Sequence, residues 1–256
     1  MNWIKDLTKK LKPKLENLFN KKSTLPDNLW TNCASCSNII YREDIENNLY
    51  CCTNCQEPQQ ILPRKRFEIL FDEGTYEELE TPRLSSDPLN WSDISSYKDK
   101  VKKARKKFNQ RHAALVAVGS INKMQAVVYC MNQKFLGGSV GIEEGEAFVF
   151  ACKYAVEHNL PFIAFPQTGG QKMQHSAFAL MQMPKSIIGL QMLEEKGLPA
   201  IIMATSPVAG GVTASWFTAH PFLFLQSQRI LKLCLLVLVL LRELLVKICQ
   251  VGFRLR

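Results

Sequence analysis

The stretch Phe162-Ile163-Ala164-Phe165-Pro166-Gln167-Thr168-Gly169-Gly170 is a short apolar run that breaks at proline and reaches a glycine pair. Ala200-Ile201-Ile202-Met203-Ala204-Thr205-Ser206-Pro207-Val208-Ala209-Gly210-Gly211 repeats the pattern, with 41 residues from Gly170 to Gly211. Apolar runs this short, bounded by turn residues, read as strands buried on both faces. The intervals read as helices. Phe148, Ala151, Cys152 and Ala155 fall at i, i+3, i+4 and i+7, which predicts an amphipathic helix ending near Asn159, before Pro161. Met173–Met183 is a helical stretch, Pro184 can open the next helix, Gly197 can close it, and Val212–Trp216 begins another after the second glycine pair. Upstream, Ala113–Val118 and Met124–Cys130 are β-type runs joined by the turn-like Ser120–Lys123, as in a hairpin. Strand, turn and helix in alternation predict a layered α/β core.

With 256 residues, 46% of them hydrophobic and 21% charged, the chain has globular composition and room for one sizeable core with a small satellite. Its net charge of +9 suggests a nucleic-acid or membrane partner until the charge is located. Residues 1–22 contribute +5 and residues 229–256 another +5, so the remaining 206 sum to −1. The first 28 residues read as a basic arm, with Trp3, Ile4, Leu7 and Leu11 at helical spacing and Pro13 breaking the run. They contain no apolar core followed by a cleavage site, so no signal peptide is expected, and the expected location is cytoplasmic and reducing. The longest apolar run, Leu233–Leu241, has nine residues before Arg242 and Glu243. A spanning helix needs about 20, so no transmembrane segment is expected.

Cys33, Cys36, Cys52 and Cys55 have the spacing C-x2-C-x15-C-x2-C. Each C-x2-C makes a tight knuckle that aims two thiolates at one point, and four thiolates complete a closed tetrahedral Zn²⁺ site of structural type. Cys51 breaks the spacing and reads as the spare thiol. The interval between the knuckles, with Ile39-Ile40-Tyr41, is long enough for a small hairpin. Cys130, Cys152, Cys234 and Cys249 read as small buried hydrophobes. A ribbon of this kind can bind nucleic acid or simply staple a subdomain too small to fold alone. Residues 33–55 carry only Arg42 against Glu43, Asp44 and Glu46, the wrong sign for phosphate contact.

A strand that feeds a Gly-Gly turn at a helix start leaves backbone amides free to hold a developing oxyanion, such as a thioester enolate, without a side-chain nucleophile. No G-x-G-x-x-G follows a strand and no P-loop is present, which argues against nucleotide-binding folds.

Taken in order, the four-cysteine ribbon, Asp87-Pro88-Leu89, Tyr97-Lys98-Asp99-Lys100, Leu136-Gly137-Gly138-Ser139-Val140-Gly141 and Gly145-Glu146 resemble the acetyl-CoA carboxylase carboxyltransferase beta subunit of bacteria and plastids. So do Gly169-Gly170, Met173-Gln174, Leu180-Met181-Gln182-Met183 and Gly210-Gly211-Val212-Thr213-Ala214-Ser215, the likeness running from about Trp30 to Trp216. The resemblance implies a crotonase-like core of ββα units, incomplete at its C-terminus, behind a zinc ribbon. It implies transfer of a carboxyl group from carboxybiotin to acetyl-CoA to give malonyl-CoA, the first step of fatty acid synthesis, within an ATP-dependent complex. Biotin would arrive on a carrier protein, and the implied partners are an alpha subunit in an alpha2beta2 heterotetramer, the biotin carboxyl carrier protein and biotin carboxylase. On this reading the amides of Gly169 and Gly170 polarise the thioester carbonyl, Gly210 and Gly211 shape the neighbouring wall, and Gly137 and Gly138 lie on the acyl-CoA side. The implied division is a basic arm (1–28), zinc ribbon (29–56), helical and loop connector (57–110), partial carboxyltransferase core (111–228) and an apolar, cationic tail (229–256).

The chain also departs from the family. Where the family reads Ser-Gly-Gly-Ala-Arg-Met-Gln-Glu-Gly, this chain has Thr168-Gly169-Gly170-Gln171-Lys172-Met173-Gln174-His175-Ser176, and the usual Asp-Pro is Ser206-Pro207. His175 reads as a drifted, solvated residue rather than a new catalytic base. After Trp216 the family segments are not recognisable, and codon degeneracy permits Leu-Ile-Gly-Phe and Leu-Pro-Gly-Gly-Phe-like readings in a neighbouring frame. The expectation is a frameshift near Trp216–His220 and an impaired product. The alternatives are a zinc-ribbon nucleic-acid-binding protein, a peripheral membrane protein using the cationic tail, or a non-functional remnant.

Overall fold

The computed structural model describes residues 29–217 and the backbone of 223–225. The basic arm and the tail beyond 225 lie outside the described residues, and with them most of the segment for which a frameshift is expected. The chain divides between Gln56 and Glu57 into two compact units, each of which is described by itself.

In the smaller unit, β1 (Trp30–Asn32) pairs antiparallel with β2 (Ile39–Tyr41), Thr31 opposite Ile40, and α1 (Arg42–Asn47) follows. The hairpin therefore wraps the first knuckle and does not lie within the interval between knuckles, which holds β2 and α1. The knuckle is itself the turn, since Cys33 N donates to Asn38 O at 3.0 Å and Ser37 N to Cys33 O at 2.9 Å. Among its described residues, Cys33, Ile40, Ile45 and Cys52 form its buried cluster, with Cys36 and Tyr50 packed against them. A core this small is too weak to hold a fold without a staple.

The larger unit is built on one six-stranded sheet in the order β3 (Tyr76–Leu79), β4 (Ala114–Ile121), β5 (Met124–Met131), β6 (Phe162–Phe165), β7 (Ala200–Ala204), β8 (Leu223–Leu225). The first three are antiparallel and the last four run parallel. The helices are α2 (Pro63–Leu70), α3 (Tyr97–Phe108), α4 (Ile142–His158), α5 (Ala177–Leu180), α6 (Gln182–Glu195) and α7 (Gly211–Trp216).

Period-2 alternation sorts the strands onto two cores. Val127, Tyr129, Met131, Phe162 and Ala164 join Phe148, Cys152, Leu190 and Trp216 on the face covered by α4, α6 and α7. Val128, Cys130, Ile163 and Phe165 join Phe67, Leu70 and Phe71 on the face covered by α2. Both faces are covered, which is why β6 and β7 read as unbroken apolar runs. Trp216 stacks on Phe148 with centroids 4.1 Å apart and donates from Nε1 to Ser186 Oγ at 2.6 Å, fixing α7 to α4 and α6.

Three local expectations need correction. The sequence of the connector 57–110 reads as helices and loops, yet Tyr76–Leu79 is a strand at the sheet edge; its two exposed glutamates, Glu77 and Glu78, hide its β character. The stretch Met173–Met183 is a 3-10 turn (Met173–His175) and then α5, broken at Ser176 with φ +48°. The next helix starts at Gln182, so Pro184 sits inside its first turn, where a missing N–H leaves no bond unmade. Leu223–Leu225, in register with Ile202–Ala204, adds a parallel strand beyond Trp216, where the resemblance in sequence motifs ends.

Candidate functional site

Three glycine turns meet at the C-terminal ends of β5, β6 and β7. After β5 the chain makes the 3-10 turn Leu136–Gly138, with Gly137 and Gly138 at φ +75° and +62°. A Cβ on Gly138 would run into the Gln167 carbonyl and come within 2.9 Å of Gln133 Cα, so both the turn and the close approach require glycine there. Gly169 N donates to Gly137 O at 3.0 Å, Val140 N to Gly170 O at 2.9 Å, and Lys172 N to Val140 O at 2.9 Å. On the other side Thr168 N donates to Pro207 O at 2.8 Å, and a Cβ on Gly210 would lie 3.5 Å from Gly170 Cα. The structure thus brings together all six glycines picked out in the sequence.

The two later pairs are not equivalent. Gly211 opens α7 directly, whereas Gly169-Gly170 leads into a backbone bridge from Gln171 to Val140 and only then a 3-10 turn. The helix-dipole argument therefore belongs to the second pair. Nor are the amides of the first pair free. Gly169 N is committed to the Gly137 carbonyl, and Gly170 N donates to Thr168 Oγ1 at 3.0 Å.

Behind the turns lies a buried polar cluster. Lys172 and Glu144 are 3% and 0% exposed, and Lys172 Nζ donates to both Glu144 oxygens at 2.8 Å. Glu144 also accepts from Gly141 N at 2.9 Å and Ala113 N at 3.1 Å. Burial works against its charge, but the Lys172 ammonium and these hydrogen bonds outweigh it and bring the carboxyl down to about 2. Burial likewise opposes the Lys172 charge, and Glu144 raises its pKa regardless. One carboxylate thus ties the start of α4, the start of β4 and the loop after Gly169-Gly170 to one point.

His175 is not solvated. It is fully buried, accepts from Ile142 N through Nδ1 at 3.1 Å, and contacts Ser86 O through Nε2 at 3.0 Å. Those contacts assign the proton to Nε2, and burial, with the Lys172 charge, lowers its pKa. His112 is buried as well, with Nε2 2.8 Å from Thr81 Oγ1, and burial pushes it down to about 4. Glu143, 3.2 Å from Arg105, is pushed up to about 7 by burial and by the Glu144 charge beside it. Sequence reasoning missed Glu144, although a signal was there. It lies four residues before Phe148, so it continues the apolar stripe of α4 inward.

In the smaller unit the four thiols of Cys33, Cys36, Cys52 and Cys55 lie within 4.8 Å of one another. Cys33 and Cys55 sulfurs are 3.6 Å apart, and those of Cys36 and Cys52 are 3.7 Å apart. Zn–S bonds of about 2.3 Å in a tetrahedron separate sulfurs by about 3.8 Å, so the set fits Zn²⁺. The Asn38 amide, then the Asn54 side chain, lowers the Cys36 thiol to about 6, as a thiolate ligand requires. Cys51 is buried nearby and is not in the group.

The sequence matches two family models, the acetyl-CoA carboxylase zinc finger domain over residues 30–55 and the carboxyl transferase domain over 59–235. The second match runs beyond Trp216. Among solved structures the fold is similar to that of transcarboxylase 12S, solved with hydrolysed methylmalonyl-coenzyme A bound, at TM-score 0.51 and 19% identity over 72% of this chain and 31% of that one. The fold is therefore that of a carboxyl transferase, crotonase-like, behind a zinc ribbon. Among curated proteins it is 38% identical over 216 residues to the acetyl-coenzyme A carboxylase carboxyl transferase subunit beta of Dinoroseobacter shibae, covering 84% of this chain and 66% of that one. For the same subunit of Gluconobacter oxydans the figures are 39% identity, 84% and 73%. The chain belongs to the family of acetyl-CoA carboxylase carboxyl transferase beta subunits, and it spans about two thirds of the length of these relatives. No helix among the described residues is long and apolar enough to cross a membrane.

Proposed function

We propose that this chain is the beta subunit of the carboxyltransferase of an acetyl-CoA carboxylase and binds acetyl-CoA where its three glycine turns meet. The observation that carries this reading is the convergence of Gly137-Gly138, Gly169-Gly170 and Gly210-Gly211 at the ends of three parallel-sheet strands, turns that would offer a bound acyl group backbone rather than side chains. Carboxybiotin, delivered on a carrier protein and presented by an alpha subunit, would supply the carboxyl group. This chain holds the thioester carbonyl while charge builds on its oxygen. Of the two amides, Gly170 N–H is the better suited to that role, because its acceptor is the Thr168 side chain, which itself donates to Gly170 O at 3.2 Å, whereas Gly169 N–H is part of the backbone bonding that holds the turns together. Gly210 and Gly211 form the facing wall.

The complex contains the alpha subunit, in an alpha2beta2 arrangement, with the biotin carboxyl carrier protein and biotin carboxylase, and it works in the cytoplasm. Within the chain, residues 29–56 are a zinc ribbon of structural role, 57–110 connect it to the core, and 111–228 form the catalytic core. Reconstitution tests the reading. The chain with alpha subunit, carrier, biotin carboxylase, ATP and bicarbonate should convert acetyl-CoA to malonyl-CoA, and omission of the alpha subunit should abolish it. A complete mixture that forms the complex yet yields no malonyl-CoA would refute the activity.

A further inference from the structure

α3 concentrates positive charge. It holds seven basic residues against Asp99, a net +6, while the other described residues sum to −6. Its buried face, Tyr97, Val101 and Ala104, lies along the site. Tyr97 meets His175 edge-on with ring centroids 6.0 Å apart, next to the loop of Gly169-Gly170. Phe108 packs on Phe135 at 6.2 Å, just before Gly137-Gly138. The helix therefore spans the supports of two of the three glycine turns.

Two of its cations are in ion pairs, Lys100 on Asp93 at 2.7 Å and Arg105 on Glu143 at 3.2 Å, and Lys107 Nζ lies 5.2 Å from the centroid of the Phe108 ring. Lys98, Lys102, Lys103, Lys106 and Lys107 are exposed, and none of them forms an ion pair with a described residue. Lys98/Lys102, Lys102/Lys106 and Lys103/Lys107 are i,i+4 neighbours of like charge, an arrangement that weakens a helix. Lys106 and Lys107 gain a little from the helix C-terminus, but Lys98 and Lys102 do not. A helix built this way gives up local stability for a standing positive field beside the acyl site.

We propose that the lysine face of α3 binds the phosphates at the nucleotide end of acyl-CoA. The proposal rests on the acyl-CoA reading of the glycine turns. A thioester placed at those turns carries its polyanionic end outward past their supports, and this helix is the described cationic element that runs along them. The binding is electrostatic, so it weakens with salt.

The test compares acetyl-CoA with acetyl-pantetheine, which lacks the nucleotide, by equilibrium binding to the full chain at low and high salt. In Lys102→Glu/Lys106→Glu, acetyl-CoA affinity should fall about tenfold at low salt, two exposed charge contacts being reversed. Affinity for acetyl-pantetheine should stay the same, and the salt dependence for acetyl-CoA should flatten. Lys102→Gln/Lys106→Gln, which removes the charges without reversing them, should give a smaller fall in the same direction. An equal fall for both ligands, or no fall in either variant, overturns the proposal. Loss of single-stranded RNA binding with acetyl-CoA affinity unchanged overturns it in favour of a nucleic-acid surface. If the unaltered chain binds acetyl-pantetheine but gains nothing from the nucleotide, only this proposal fails; if it binds neither, the acyl-CoA reading fails with it.

Discussion

Lys172 and Glu144 satisfy each other in a place where neither could stay charged alone. Lys172→Met leaves a buried carboxylate without its cation, and the expected loss is about 3–5 kcal/mol in urea unfolding. Lys172→Arg, the residue the family carries at this position, should retain most of the stability. The double variant Glu144→Gln/Lys172→Met should recover part of the single variant's loss, because no unpaired charge remains. Glu143 gives a different signature. Its folded pKa of about 7 lies above the ordinary 4.5, so the folded chain holds the extra proton between those values, and its contribution to stability falls as pH rises through that window. His112, lowered from 6.5 to about 4, acts in the opposite sense, its contribution being lost as pH falls from 6.5 towards 4. The two slopes offset each other near pH 5–6. Glu143→Gln should therefore be more stable than the unaltered chain by about 1–3 kcal/mol at pH 8, with little difference at pH 5, in melts at the two pH values. None of this cluster could be read from spacing. Which carboxylate a buried lysine meets depends on chain segments 28 residues apart that only the tertiary fold joins.

At the level of elements, the turn Leu136–Gly138 separates two kinds of glycine. Gly137→Ala meets nothing within 4 Å and should cost only the strain of a positive φ, about 1 kcal/mol. Gly138→Ala adds a collision with the backbone of Gln167 and should cost at least about 2 kcal/mol and displace the turn, measurable as lost acetyl-CoA binding. The strands β4 to β7 were legible because burial on both faces leaves apolar runs with clear ends. The edge strand β3 was not, since exposed Glu77 and Glu78 give it the composition of a loop. The glycine pairs were visible as turns, and their mutual contact was implied only by the repeat. The state of their amides was invisible, because whether an N–H is free depends on acceptors such as Gly137 O and Thr168 Oγ1 that spacing does not place.

For the molecule as a whole, the two units should respond differently to metal removal. A chelator should unfold residues 29–56, whose buried cluster is four residues, and leave hydrogen-exchange protection in β4 to β7 unchanged. Cys52→Ser should lower the zinc content of the purified chain and Cys51→Ser should not, by elemental analysis. Family membership was legible from the ribbon and glycine motifs together, because several short motifs in fixed order constrain a chain more than any one of them does.

The β4–β5 hairpin has a further consequence, for the order in which the chain acquires structure. It is the pairing of the sheet made by neighbours in sequence, eight residues against eight across a two-residue turn, and such a contact closes early. Each strand added after it arrives through a helix, and the parallel pairing of β5 with β6 waits on all of α4. Until then the hairpin is a ribbon with Val127 and Tyr129 bare on one side and Val128 and Cys130 bare on the other. During synthesis, this interval is when the chain is most open to self-association, and its length is set by how soon α4 and β6 leave the ribosome.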